Sequence, residues 1–133
     1  MTKYLSLWLS VLVLMLVAAT AWAAEKPGAI RPVELRCEYK ADPLGIDTPQ
    51  PRFTWVVVGE GRARGLTQTA YQVIVSDSMQ AIQKNKGTLW DSGRVKSDNT
   101  VLVSYAGKPL ASRTLCFWKL RVWDQDGRPS EWT

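Results

Sequence analysis

The chain contains no histidine. That removes the commonest general acid–base side chain near neutral pH and the commonest metal ligand together. Cysteine is scarce too, with Cys37 and Cys116 the only two, and two thiols alone do not complete a tetrahedral zinc site. Long runs of one charge are missing: the 17 basic and 12 acidic side chains are scattered along the sequence. Nucleic-acid binding would concentrate basic residues on one element with aromatics between them, so the sequence predicts no nucleic-acid partner. The glycine-rich stretch Gly59-Glu60-Gly61-Arg62-Ala63-Arg64-Gly65 lacks the lysine and the following helix of a phosphate-cradling loop.

One long apolar run is present, from Leu5 to Val17, broken only by Ser6 and Ser10. Lys3 precedes it and the small-x-small segment Ala21-Trp22-Ala23 follows, the three parts of a secretory signal. Residues 1–23 are therefore expected to be a signal peptide, cleaved after Ala23, sending the product to the periplasm or out of the cell with no membrane association afterwards. An uncleaved anchor is the alternative, since roughly 20 apolar residues can cross a bilayer. Export would put the cysteines where disulfides persist, so Cys37 and Cys116 are read either as a bridge between an early and a late strand or as two separately buried thiols.

Residues 24–32 are polar with Pro27 and Pro32, which predicts a linker, and 33–133 then form one domain. Period-two alternation marks the strands. Val33, Leu35, Cys37 and Tyr39 share one face of the first. Phe53, Trp55 and Val57 share one face of the second, over 52–58. The glycine-rich 59–65 segment predicts a hairpin loop leading to the third strand, Thr69–Ser76, with Tyr71, Val73 and Val75 on one side. Between Ser78 and Lys86 a serine N-cap, Met79 and Ile82 three apart, and a closing Gly87 predict one short helix. Brief strands follow at Thr88–Asp91 and Thr100–Tyr105. The longest candidate is Leu115–Asp124, with Cys116, Trp118, Leu120 and Val122 inward and Phe117, Lys119, Arg121 and Trp123 outward. Asp126-Gly127 signals a turn, and Ser130–Thr133 reads as a final strand barely begun. Short strands at this spacing with turn chemistry between them predict an all-β sandwich of the immunoglobulin or fibronectin type III kind, carrying one short helix and a truncated last strand, and hence a fragment of a longer protein.

Six segments stand in order along this frame: Leu35-Arg36-Cys37-Glu38-Tyr39 with Pro43-Leu44-Gly45-Ile46-Asp47; Pro51-Arg52-Phe53-Thr54-Trp55; Gln68-Thr69-Ala70-Tyr71-Gln72-Val73; Leu89-Trp90-Asp91-Ser92-Gly93; Phe117-Trp118-Lys119-Leu120-Arg121-Val122-Trp123-Asp124; and Ser130-Glu131-Trp132. Together they resemble the fibronectin-like N-terminal domain of bacterial α-L-rhamnosidases of glycoside hydrolase family 78. The resemblance implies a multidomain secreted enzyme that removes terminal L-rhamnose with inversion, using two glutamates of a downstream α/α barrel. No catalytic residue carries over to this chain, and no cofactor is implied. The expected role is that of a non-catalytic accessory module, with the downstream domains of the same enzyme as its partners and rhamnose-containing glycans as a further one. A free-standing carbohydrate-binding or adhesive sandwich is the alternative.

An inverting glycosidase holds two carboxyl groups roughly 6.5–9.5 Å apart. Asp124 and Asp126 are the nearest acidic pair of the strand-and-turn region, but aspartate at a strand end and in a turn serves the backbone. A calcium loop starting there would need ligands where Arg128 and Pro129 stand. No metal site is expected. Trp55 and Trp118 read as core filling. The outward set Phe117, Lys119, Arg121 and Trp123 is the candidate contact face, for docking against the next domain or for a sugar, unless the basic stems merely cover the indole.

Overall fold

The computed structural model describes residues 27–61 and 64–133. The expected signal peptide, the start of the expected linker and Arg62-Ala63 lie outside the described residues. Six strands and one helix follow in order: β1 Ile30–Cys37, β2 Arg52–Gly59, β3 Ala70–Ser76, α1 Met79–Gln83, β4 Trp90–Asp91, β5 Val103–Ser104 and β6 Phe117–Trp123. They build two antiparallel three-stranded sheets, β1-β2-β5 and β4-β3-β6. This is the immunoglobulin-like all-β architecture that the alternation predicts.

The core lies between the sheets. Phe53 and Trp55 from β2 meet Tyr71, Val73 and Val75 from β3 and Leu120 and Val122 from β6. The Trp55 ring stands edge-on to Tyr71 at 5.3 Å, and Phe53 lies 4.5 Å from Trp118, the offset geometries that aromatic quadrupoles favour. Gln68 is buried with them and is satisfied on both sides. Its Oε1 accepts from the Trp55 indole at 3.0 Å, and its Nε2 donates to the Ser97 and Asn99 carbonyls at 3.1 Å each.

Three elements differ from the sequence reading. First, β1 starts at Ile30, inside the expected linker, because Ile30 and Pro32 are buried against Gly59 and Val57. It ends at Cys37, where a tight turn pairs Cys37 with Lys40 in both directions. Tyr39 is thereby thrown off the inward face and is 61% exposed. Second, the 59–65 segment is not a hairpin loop. It joins β2 of one sheet to β3 of the other, since the partners of β2 are β1 and β5. Third, α1 ends early. Ser78 caps it by accepting from the Ala81 N–H at 3.3 Å, but Asn85 at φ 55° makes the left-handed exit expected at Gly87.

Candidate functional site

Pairing of β3 with β6 sets up the candidate face. Ser76, Ile74, Gln72 and Ala70 stand opposite Phe117, Lys119, Arg121 and Trp123 on the outer side of the sheet. The α1 segment and the turn after it cover the Phe117 end, where Ile74 and Ser76 are fully buried. Lys119 leans over this cover, and its Nζ donates to Asn85 Oδ1 at 3.3 Å.

Arg121 organises the other end. Its Nε donates to Gln72 Oε1 at 3.0 Å, and Gln72 Nε2 in turn donates to Asp91 Oδ1 at 2.7 Å. The guanidinium lies over two indoles, 4.8 Å from the Trp123 ring and 4.7 Å from Trp132. Arg94 approaches Trp123 as well, at 4.9 Å. The result is a ladder of Arg94, Trp123, Arg121 and Trp132 in which each contact sets a cation against an aromatic face. Burial holds the Arg121 guanidinium below its ordinary pKa, with Asp91 drawing it up and Arg94 pushing it down.

Trp123 is therefore not an open platform. It is only 6% exposed, because two guanidinium groups occupy the space a sugar ring would need. Phe117, Lys119 and Arg121 remain half-buried and form the accessible part of the predicted face. Arg94, Gln72, Asp91 and Trp132 join the site without having been read from the sequence as its members. Arg94 gave no signal, since it follows Gly93 at φ 60° in an irregular connection.

The acids serve structure. Asp124 is fully buried and accepts from the backbone N–H groups of Ala29, Asp126 and Arg128 at 3.0, 2.9 and 3.0 Å and from Arg128 Nε at 3.2 Å. Burial alone would raise its pKa, but these donors and the Arg128 charge hold it below the ordinary carboxyl value. Asp126 also pairs with Arg128. Glu38 accepts from the Arg52 backbone N–H, Nε and Nη2 at 2.7, 3.0 and 2.9 Å, and the hydrogen bond from that guanidinium keeps its pKa low. Asp91 Oδ1 also accepts from the Gly93 N–H at 2.8 Å, while Ser92 Oγ accepts from the Val73 N–H at 2.9 Å. The Trp-Asp-Ser-Gly segment, β4 and the turn that leaves it, is thus fastened to β3. Among the described residues no group of three or more cysteines, aspartates or glutamates stands close enough to hold a metal ion.

Both cysteines are free thiols, so the bridge considered from the sequence is not formed in this state. Cys37 is buried in the first sheet; Cys116 sits just ahead of β6, and its thiol turns back to donate weakly to the Thr114 carbonyl at 4.0 Å.

Comparison with known proteins places the domain. A model of the "Rha78A-like, N-terminal immunoglobulin domain" matches residues 32–133. An α-L-rhamnosidase of Streptomyces avermitilis is 46% identical over 105 residues, covering 79% of this chain and 10% of that protein. The crystal structure of the S. avermitilis α-L-rhamnosidase complexed with L-rhamnose superposes with a TM-score of 0.72 over 79% of this chain and 10% of that one, at 46% identity. The α-L-rhamnosidase from Dictyoglumus thermophilum gives a TM-score of 0.73 at 40% identity, covering 77% of this chain and 11% of that one. The chain spans about a tenth of the length of the relatives it matches.

Proposed function

The chain belongs to the Rha78A-like N-terminal immunoglobulin domains, and from that membership we propose that it is the non-catalytic accessory module of a secreted α-L-rhamnosidase. The observation that carries the reading is proportion: the likeness to relatives named α-L-rhamnosidase is confined to about a tenth of their length. Hydrolysis of terminal α-L-rhamnose then belongs to other parts of the parent enzyme. The acids of the module support this division, since Asp124, Asp126 and Glu38 are each engaged by arginine or backbone donors. Lys3, the apolar run and Ala21-Trp22-Ala23 support export to the periplasm or medium.

The physical task of the module is to pack beside the catalytic part of the same enzyme. Its docking face is the accessible part of the outer β3–β6 surface, Phe117, Lys119 and Arg121, with Trp123 held beneath. An apolar ring followed along the strand by two cations resembles the partly polar patches through which domains of one chain meet. Excising residues 28–133, from the first of the described residues bonded into the sandwich, from the intact enzyme tests this. The expected result is a melting temperature lower by several degrees with rhamnose release retained at low temperature, and most of the loss reproduced by the pair Lys119→Glu and Arg121→Glu. Unchanged melting after excision would remove the docking role. Saturable binding of L-rhamnose to the module alone would replace it with carbohydrate binding.

A further inference from the structure

We propose that Cys37 and Cys116 form an inter-sheet clasp, a disulfide site that closes by exchange with a low-molecular-weight disulfide such as oxidised glutathione. The two thiols come from opposite sheets. Cys37 is the last residue of β1 and pairs with Phe53 of β2, whereas Cys116 immediately precedes β6. Both line one groove of about 310 Å³, together with Leu35 and Trp118. The sheets touch at this end, because Phe53, the cross-strand partner of Cys37, lies 4.5 Å from Trp118, two residues beyond Cys116. Cys116 also packs against the buried cluster to which Cys37 belongs. Their electrostatic influence is consistent with this closeness: Cys37 is pushed up to about 11, mainly by burial and further by Glu38 and Cys116.

Cys116 is placed to adjust. It stands outside the ladder of β6, at the end of an irregular connection in which Arg113 takes φ 61° and Leu115 is 71% exposed. Cys37 is fixed by β-pairing on one side and by the turn to Lys40 on the other. A fixed thiol sharing a groove with one on an irregular segment lets the second rotate away from the Thr114 carbonyl and the Cα separation settle into the narrow range a disulfide requires.

The chemistry proceeds by two exchanges. The half-buried Cys116, reached first from solvent, loses its proton to water and attacks glutathione disulfide. The glutathione S–S bond breaks, a mixed disulfide forms at Cys116, and one glutathione leaves as thiolate. Cys37 then gives up its proton and attacks the Cys116 sulfur, the mixed S–S bond breaks, the Cys37–Cys116 bond forms, and the second glutathione leaves. The protein dithiol is oxidised by two electrons and glutathione disulfide is reduced to two thiols. Because Cys37 is pushed up to about 11, its thiolate fraction grows with pH, and closure accelerates as pH rises toward that value.

The bond would close a loop of about 80 residues and raise the melting temperature by roughly 10 °C. The test incubates the full chain with oxidised glutathione at mildly alkaline pH, then reads intact mass, a non-reducing peptide map and thermal unfolding. The expected result is a chain lighter by two hydrogens, a peptide joining Cys37 to Cys116, and a melting shift erased by a phosphine reductant. Cys116→Ser, with an unchanged far-ultraviolet spectrum, is expected to lose both mass change and shift. Persistent glutathione on Cys116, or a chain–chain dimer through it, would overturn the clasp. An internal link that leaves melting unchanged would overturn it too, since a bond fitted to the native sheets must stabilise them.

Discussion

Asp124 shows how much one side chain can hold in so small a domain. It joins Ala29, the residue ahead of β1, to the turn at Asp126–Arg128, and its charge is compensated by Arg128. Replacing it with asparagine removes the charge and turns an amide against donors it cannot satisfy. The expected cost is about 3 kcal/mol, measured by urea unfolding at neutral pH. The pH dependence follows from a folded pKa held below the ordinary value. Its stabilisation is present above the unfolded carboxyl value, about 3.9, and is lost as pH falls through the lower folded value. The gap between wild type and Asp124→Asn should close in that acid window; a constant gap would mean that packing, not charge, is responsible. At this scale the sequence was only partly legible. Alternation put Trp123 on the outer face of β6, but its cover by Arg94 is a contact between distant segments that no local pattern encodes. Turn chemistry did announce Asp124 as a structural acid, since aspartate before Asp-Gly serves nearby N–H groups.

Elements were legible wherever one face met the core. β2, β3 and β6 declared themselves through Phe53 and Trp55, through Tyr71, Val73 and Val75, and through Leu120 and Val122. What alternation cannot report is which sheet a strand joins, and so the 59–65 segment passed for a hairpin. It also cannot see where two backbones nearly touch. Gly107 lies in an unremarkable loop sequence, yet a Cβ there would stand 2.5 Å from the Leu89 carbonyl oxygen and 2.6 Å from the Tyr105 hydroxyl, with Trp90 Cβ against it as well. That crowding secures the edge strand β4, because Tyr105 donates to the Lys108 carbonyl at 2.6 Å and Lys108 N–H donates to Leu89 at 3.0 Å. Gly107→Ala is therefore expected to destabilise by about 2–3 kcal/mol, as overpacking does, and to deprotect the Lys108 amide, which donates to the Leu89 carbonyl, in hydrogen exchange. A change within about 0.5 kcal/mol, the range of ordinary surface substitutions, would show that the loop yields.

On the scale of the whole molecule, an all-β sandwich of the immunoglobulin kind was readable from short strands at close spacing with turn chemistry between them, and membership in the Rha78A-like N-terminal domains agrees with it. The proposed docking face was readable only as a list of outward residues, since its surface depends on which of them the fold leaves uncovered. The chain is proposed to position and support an enzyme whose chemistry lies elsewhere, so the decisive observation is where activity resides. The direct measurement is release of L-rhamnose from an aryl α-L-rhamnoside by this chain alone, beside the intact protein that carries it. The expected result is release by the intact protein and none above the uncatalysed rate by the chain. Turnover by the chain itself, or an intact protein inert toward the rhamnoside, would contradict it.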